Sequence, residues 1–268
     1  QALRENMVSG WTIPLTLQAM KTLSNALNGA EAYAEFVAQI QDLTEKMEAD
    51  YHRFLIKDGV IAGFIHFPDK DVDQVEYLLH PSDKKTGINY RLLPASRSII
   101  SETFDKEMAE AHMNIIQEKL VYPDGVRLME KMAEYNAGKQ SYFKRAELAA
   151  NLGREVGLQY CHAHIRFIEA LCKMGKADDV FDNLYKIVPV GIQKSVPNAD
   201  VRQSNAYFSS SDGKFNDRYE AYDNFDKLKS GEVEVKGGWR IYSSGPGIYI
   251  NQLISSVLGI RYQNEALV

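Results

Sequence analysis

Residues 153–175 read GREVGLQYCHAHIRFIEALCKMG, and the rest of the chain is organised around them. In the second half Ile165, Ile168 and the pair Leu171/Cys172 recur every three to four residues, the spacing of a helix with one buried face. The first half gathers Arg154, Glu155, His162 and His164 into a short, largely uncharged entry to that helix. A cation, a carboxylate and two imidazoles so placed could bind a polar ligand. The plainer reading is a helix start with solvated charges and one hydrogen-bonded histidine, and the stretch by itself leaves both open. Cys161, His162 and His164 have metal-ligating chemistry, but their spacing matches no common zinc site and no second cluster accompanies them.

Working outward, the pattern on both sides is helical. Residues 3–28 predict a helix with Trp11, Leu15, Leu23 and Leu27 on one side, its main part starting near Pro14 and its end marked by Asn28-Gly29. Residues 30–57 predict a second helix that buries Phe36, Ile40, Leu43, Met47, Tyr51 and Phe54. Val60 to Phe67 reads as an extended segment, and 68–98, with three prolines and a glycine, as a long irregular connection. Helices are expected at 104–120, 143–152, 177–187 and 215–229, with a turn at Tyr122-Pro123-Asp124-Gly125. Residues 192–213 are polar and loop-like, and Gly231 to Tyr242 suggests a short β-ribbon around Gly237-Gly238. The last helix, 247–258, carries Ile250, Leu253, Ile254, Val257 and Leu258 in the spacing of a buried face. So many helices with almost no strand favour helical hairpins packed in layers, a closed toroid of helix pairs among them.

Composition narrows the function. With 268 residues, 45% of them hydrophobic, the chain can bury a sizeable core in one domain or two. A net charge of −5 and 10% aromatic residues argue against disorder and against a basic nucleic-acid surface. The longest apolar run, Gly59 to Phe67, is too short to cross a bilayer. Cys161 and Cys172 are the only cysteines and form no CxxC pair, which suits a reducing compartment such as the cytoplasm. The chain opens on Gln1 rather than Met, as a processed product or a piece of a longer chain does.

A second candidate site is Tyr242-Ser243-Ser244-Gly245-Pro246-Gly247, directly before the last helix. Glycines let backbone N–H groups approach a ligand, hydroxyls add donors, and the positive end of the helix favours an anion such as phosphate. An ordinary serine cap followed by proline in the first turn explains the same residues. No Gly-Lys-Ser/Thr follows, so this is not a Walker loop, and no GxSxG elbow marks a serine hydrolase. Trp239, Tyr207, Phe208 and Tyr242 flank polar loop residues as sugar-stacking aromatics do, although core packing would use each of them equally well.

Five stretches taken together resemble the glycoside phosphorylases grouped with cellobiose and chitobiose phosphorylases, glycoside hydrolase family 94. They are TGINYRLLPASRSIIS, YPDGVRLME, FKRAELAANLGREVGLQYCHAHIRFIEAL, VPNADVRQSNAYFSSSDGKFNDRY and GGWRIYSSGPGIYINQLISSVLGIR, which cover most of residues 86–261 in order. Their wording is nearest the branch acting on 1,2-β-oligoglucans. The cellobiose/chitobiose type and the phosphorylase module of cyclic β-1,2-glucan synthases are the competitors, and a non-catalytic carbohydrate-binding fragment is the alternative from outside enzymology.

The resemblance implies a fold and a reaction. The fold is an all-α (α/α)6 catalytic barrel, of which residues 1–268 would be the C-terminal portion with a short β-ribbon insertion. The reaction is inverting, reversible phosphorolysis of β-1,2-linked glucooligosaccharides to α-glucose 1-phosphate. Inorganic phosphate is the co-substrate, and no cofactor or metal is implied. By position His162, Ser244 and Gly245 match the family's phosphate-binding residues, with Ser244 where cellobiose phosphorylases usually carry threonine. Arg154 and Glu155 match a basic residue and a sugar-contacting glutamate, and Gln203 matches an active-site glutamine across an insertion. The family's general acid, an aspartate in a short Asp-Trp motif, has no counterpart here and is expected upstream of Gln1. The family's N-terminal β-sandwich, its earlier barrel helices and most of its C-terminal β domain are absent too. The implied partners are a β-glucooligosaccharide, phosphate and the remaining part of the same enzyme, with a homodimer as a further arrangement and neither nucleic acid nor membrane. Alone, the chain is expected to be inactive, with exposed barrel faces that need covering.

Overall fold

Helix α1 (Thr12–Leu27) begins two residues before Pro14, as the missing proline N–H predicts, because a first-turn amide has no helical partner to lose. The computed structural model describes residues 6–134, 159–201, 210–237, 244–263 and 266–267. The expected helix at 143–152 lies outside them. The chain divides into two compact units, Gln1–Ile115 and Ile116–Val268.

In the first unit α1 packs against α2 (Ala34–Asp50), which continues as a π-helical turn at Tyr51–Leu55. Between and around the helices, β1 (Met7–Ser9), β4 (Phe64–His66) and β5 (Glu76–Leu78) form an antiparallel sheet in the order β1-β4-β5. Strands β2 (Ile56–Lys57) and β3 (Val60–Ile61) make a small hairpin over Asp58-Gly59. Helices α3 (Leu92–Ile100) and α4 (Lys106–Ile115) complete the unit. Leu17, Ile40, Leu55, Ile65, Leu78, Leu92 and Met113 are buried in its core.

The face of α2 lies about one position away from the expected one. Ile40 and Tyr51 are buried as predicted, but Phe36 and Leu43 are exposed, and Val37 and Thr44 take their places inside. Thr44 is tolerated there because its hydroxyl donates to Ile40 O at 2.7 Å, leaving no unpaired polar atom of its own. The displaced hydrophobes Leu43, Met47 and Phe54 line a cavity of about 390 Å³ together with Ile13, Ile65 and Phe67. The long connection at 68–98 is likewise shorter than expected, since β5 and α3 both begin inside it.

The second unit opens with a π-helical turn, Ile116–Leu120, and a hairpin of β6 (Val121–Tyr122) and β7 (Gly125–Val126). Strand β8 (Gln159–Tyr160) leads into α5 (Cys161–Lys173), which α6 (Ala177–Tyr185) packs against. Strand β9 (Ser210–Gly213) lies between β8 and β10 (Val235–Gly237) in an antiparallel sheet. Two short helices, α7 (Arg218–Asp223) and α8 (Asp226–Ser230), stand where one was expected. The chain breaks between them near Asn224, and Tyr219 and Tyr222 end up exposed. Helix α9 (Ser244–Gln252) runs on into a π-helical turn, Leu253–Val257, before the hairpin of β11 (Tyr262–Gln263) and β12 (Ala266–Leu267).

The architecture is therefore mostly helical, with small antiparallel sheets. The all-α expectation, with its single ribbon, undercounts the strands. The described part of that ribbon, β10, pairs with β9 rather than folding on itself. These strands are two to four residues long, too short for an alternating pattern to register in sequence. Among the described residues no helix is long and apolar enough to cross a membrane.

Candidate functional site

Helix α5 carries the first candidate residues, and the β6–β7 hairpin holds it in place. Its buried face is Cys161, His164, Ile165, Ile168 and Leu171, so the expected periodicity is observed. His164 is fully buried. Its Nδ1 accepts the Val126 N–H at 3.2 Å, and its Nε2 lies 2.8 Å from Asn183 O. Because the first partner is a donor and the second an acceptor, the ring is neutral with its proton on Nε2. Burial pushes its pKa from 6.5 down to about 4, against the opposing pull of the Asn183 carbonyl. The imidazole thus ties strand β7 and helix α6 to helix α5. Gly125, at φ +126°, makes this approach possible, since a Cβ there would stand 2.9 Å from His164 Nδ1 and 3.0 Å from Gln159 Cγ.

Beside it lies a buried ion pair that the sequence reading missed. Arg127 Nη2 donates to both carboxylate oxygens of Asp124, at 2.7 and 2.8 Å, with the guanidinium 5.0 Å from the centre of the Tyr122 ring. Arg127 is 0% and Asp124 4% exposed. The available signal was an arginine inside the apolar run Val126–Met129, which a solvated turn would not place there.

His162, two residues from His164, faces differently. It is half-buried, in the first turn of α5, with its ring 5.8 Å from that of Tyr160. Tyr160 precedes the helix in extended conformation and does not cap it with its own side chain. The N-terminus of a helix of this length presents backbone N–H groups and partial positive charge, the polarity an anion requires.

The second candidate lies at the start of α9, which begins at Ser244, with Gly245 buried. Helix α9 packs on α5. Ile248 and Tyr249, in its first turns, pack on the core cluster that holds Cys161 and Ile165. The π-helical turn at its other end, Leu253–Val257, contacts α5 as well. His162 and Ser244-Gly245 thus stand at the starts of two helices that pack on one another.

Arg154, Glu155 and Gln203 lie outside the described residues, as do Tyr207, Phe208, Trp239, Tyr242 and the side chain of Ser244. Cys161 is buried with its thiol on Gln159 Oε1 at 3.6 Å, and His164 is committed to backbone. Among the described residues no group of three or more His, Cys, Asp or Glu is placed to hold a metal ion.

Comparison with known proteins adds a relative. Over 267 residues, 99% of its length, the chain is 51% identical to a 1,2-beta-oligoglucan phosphorylase of Listeria innocua serovar 6a. This chain is a close relative of that phosphorylase. The chain spans 24% of the phosphorylase's length. No family model matches the chain.

Proposed function

We propose that this chain is the phosphate-binding part of an inverting glycoside phosphorylase. The complete enzyme would cleave β-1,2-linked glucooligosaccharides with inorganic phosphate to release α-glucose 1-phosphate. The observation that carries the reading is the 51% identity, over 99% of the chain, to a protein named for phosphorolysis of 1,2-β-oligoglucans. The packing of α9 on α5, which joins the two candidate stretches, supports it.

In this reading the two helix starts form one anion site. His162 supplies a ring N–H, and Ser244 and Gly245 supply a hydroxyl and a backbone donor. Two helix N-termini supply partial positive charge at no reorganisation cost when phosphate arrives. Phosphate takes the place of the activated water of an inverting hydrolase, so one carboxylic acid suffices, to protonate the leaving glycosidic oxygen. That aspartate would come from the part of the enzyme preceding Gln1. Arg154, Glu155 and Gln203 would hold the glucose ring against the anion. The buried residues Asp124, Arg127 and His164 would act indirectly, by fixing the direction of α5. The helices would belong to the second half of an (α/α)6 barrel.

The test is an assay of the complete parent protein on sophorose-type, cellobiose and chitobiose substrates, with and without phosphate. Glucose 1-phosphate is expected from the β-1,2-linked substrate, and only when phosphate is supplied. Glucose release without phosphate would make the enzyme a hydrolase and remove the role given to His162.

A further inference from the structure

Around the start of α5 the side chains alternate between inside and outside. Gln159 and Cys161 are 0% exposed, whereas Tyr160 and His162 are half-buried. The inward pair is locked in place. The Cys161 thiol donates to Gln159 Oε1 at 3.6 Å, and Gln159 Cγ fits against Gly125, where a Cβ would stand 3.0 Å away. The backbone is held at both edges as well. Gln159 faces Arg127 across one edge of β8 and Ser211 across the other, and Tyr160 faces Ser210. Successive side chains of an extended segment point to opposite sides, so Tyr160 stands on the outer side above a fixed backbone. His162 turns toward it, with the two ring centroids 5.8 Å apart and the planes tilted by 44°. That separation is within the range of an interacting aromatic pair.

We propose that Tyr160 is a positioning residue for phosphate binding: its ring sets the direction of the His162 imidazole before the anion arrives. The proposal rests on the reading of His162 as a phosphate-binding residue. A histidine side chain turns about two bonds, and a half-buried ring left to itself gives up that freedom only when its ligand binds. His164 needs no such help, because two backbone hydrogen bonds already orient it. For His162 the tyrosine does this by packing, and its own strand is anchored by β9 and by Arg127. Tyr160 does not serve the helix start as a cap, since its side chain makes no cap hydrogen bond. A ring that acts by contact needs no hydroxyl, which separates this role from direct binding of phosphate by the Tyr160 O–H.

A double-mutant cycle in the complete parent protein tests this. The readout is the dissociation constant of inorganic phosphate, with the urea midpoint of each variant recorded in its absence. Tyr160→Leu is expected to weaken phosphate binding by about three- to tenfold, the effect of freeing one side chain, and Tyr160→Phe by less than about twofold. In a His162→Ala background Tyr160→Leu is expected to change the affinity by less than about twofold, because a residue acting through another has nothing left to act on. An equal loss in both backgrounds, or the same loss in Tyr160→Phe, would make Tyr160 a direct ligand and overturn the inference. Unchanged phosphate affinity in Tyr160→Leu would overturn it too. If Tyr160→Leu does not fold, Tyr160→Met takes its place, and failure of both to fold would make Tyr160 a structural residue and overturn the inference as well. Absence of phosphate binding by the unaltered parent removes the proposed function itself. Phosphate binding and phosphorolysis that are insensitive to Tyr160 leave that function standing and remove this role alone.

Discussion

His162 and His164 occupy one turn of one helix and have opposite environments. His164 faces inward, neutral, with both ring nitrogens committed to backbone groups of β7 and α6. His162 is half-buried at the helix start, beside Tyr160. The first unit repeats the inward arrangement. His112 is buried, its Nε2 accepts the Ile61 N–H at 3.1 Å, and its Nδ1 lies 2.8 Å from Met108 O. Both buried rings clamp a strand to a helix. The comparison teaches that residue type alone does not identify a binding histidine. Position on the helix face decides: two residues along a helix is a turn of about 200° about its axis, enough to pass from core to rim.

The largest expected effect tests the inward half. In His164→Ala the Val126 N–H and the Asn183 carbonyl are both left buried without this partner, and a cavity opens beside Gly125. Each orphaned group costs about 1–3 kcal/mol, so a loss of about 4 kcal/mol is expected in urea unfolding. A loss below about 1 kcal/mol would mean that the ring is not the clamp described.

Much of this was legible in the sequence, and what was not has physical causes. The spacing of Ile165, Ile168 and Leu171 located α5, and Pro14 located the start of α1. The same method misplaced the faces of α2 and α9. Periodicity reports that a helix has an apolar side, but not whether the element covering it belongs to the described chain. On α2 Val37 and Thr44 are buried instead of Phe36 and Leu43. At α9 and the turn that follows it Gln252 is buried, whereas Ile250, Leu253, Ile254 and Leu258 are exposed. Asp124 was read only as part of a turn, because charged residues near Pro and Gly are usually solvated, and Arg127 was not singled out. His162 and Ser244-Gly245 were singled out through resemblance, while the packing of α9 on α5 has no local signature.

A middle-sized effect is a dependence of stability on pH. The His164 pKa is about 4 when folded and near 6.5 when unfolded, so the unfolded chain binds the proton more tightly. Stability from the neutral ring is therefore complete above pH 6.5, declines as pH falls toward 4, and has gone below that. The difference corresponds to about 3 kcal/mol. Burial lowers the His112 pKa as well, which adds to the loss in the same direction. Burial lowers the His80 pKa too, so urea midpoints at pH 7 and pH 4 measure the total over all titrating groups, and a His164→Gln chain measured alongside isolates the share of this ring. The variant's pH dependence should be shallower by roughly this amount, and parallel curves would contradict a neutral buried His164.

The smallest expected effect on stability completes the comparison. His162→Ala removes a half-buried ring whose packing partner is the neighbouring Tyr160, so a cost within about 0.5–1 kcal/mol is expected. Its effect should appear in the parent enzyme instead. Loss of a charge-assisted donor to a desolvated anion is worth roughly 1.5–3 kcal/mol, which weakens phosphate binding by about ten- to a hundredfold. The pattern matters more than either number. His164→Ala should cost stability first, and His162→Ala should cost phosphate affinity with the fold intact. If both variants lost stability alike and phosphate affinity per folded molecule were unchanged, α5 would be a scaffold throughout. The anion site would then have to be sought on the other helix start, at Ser244 and Gly245.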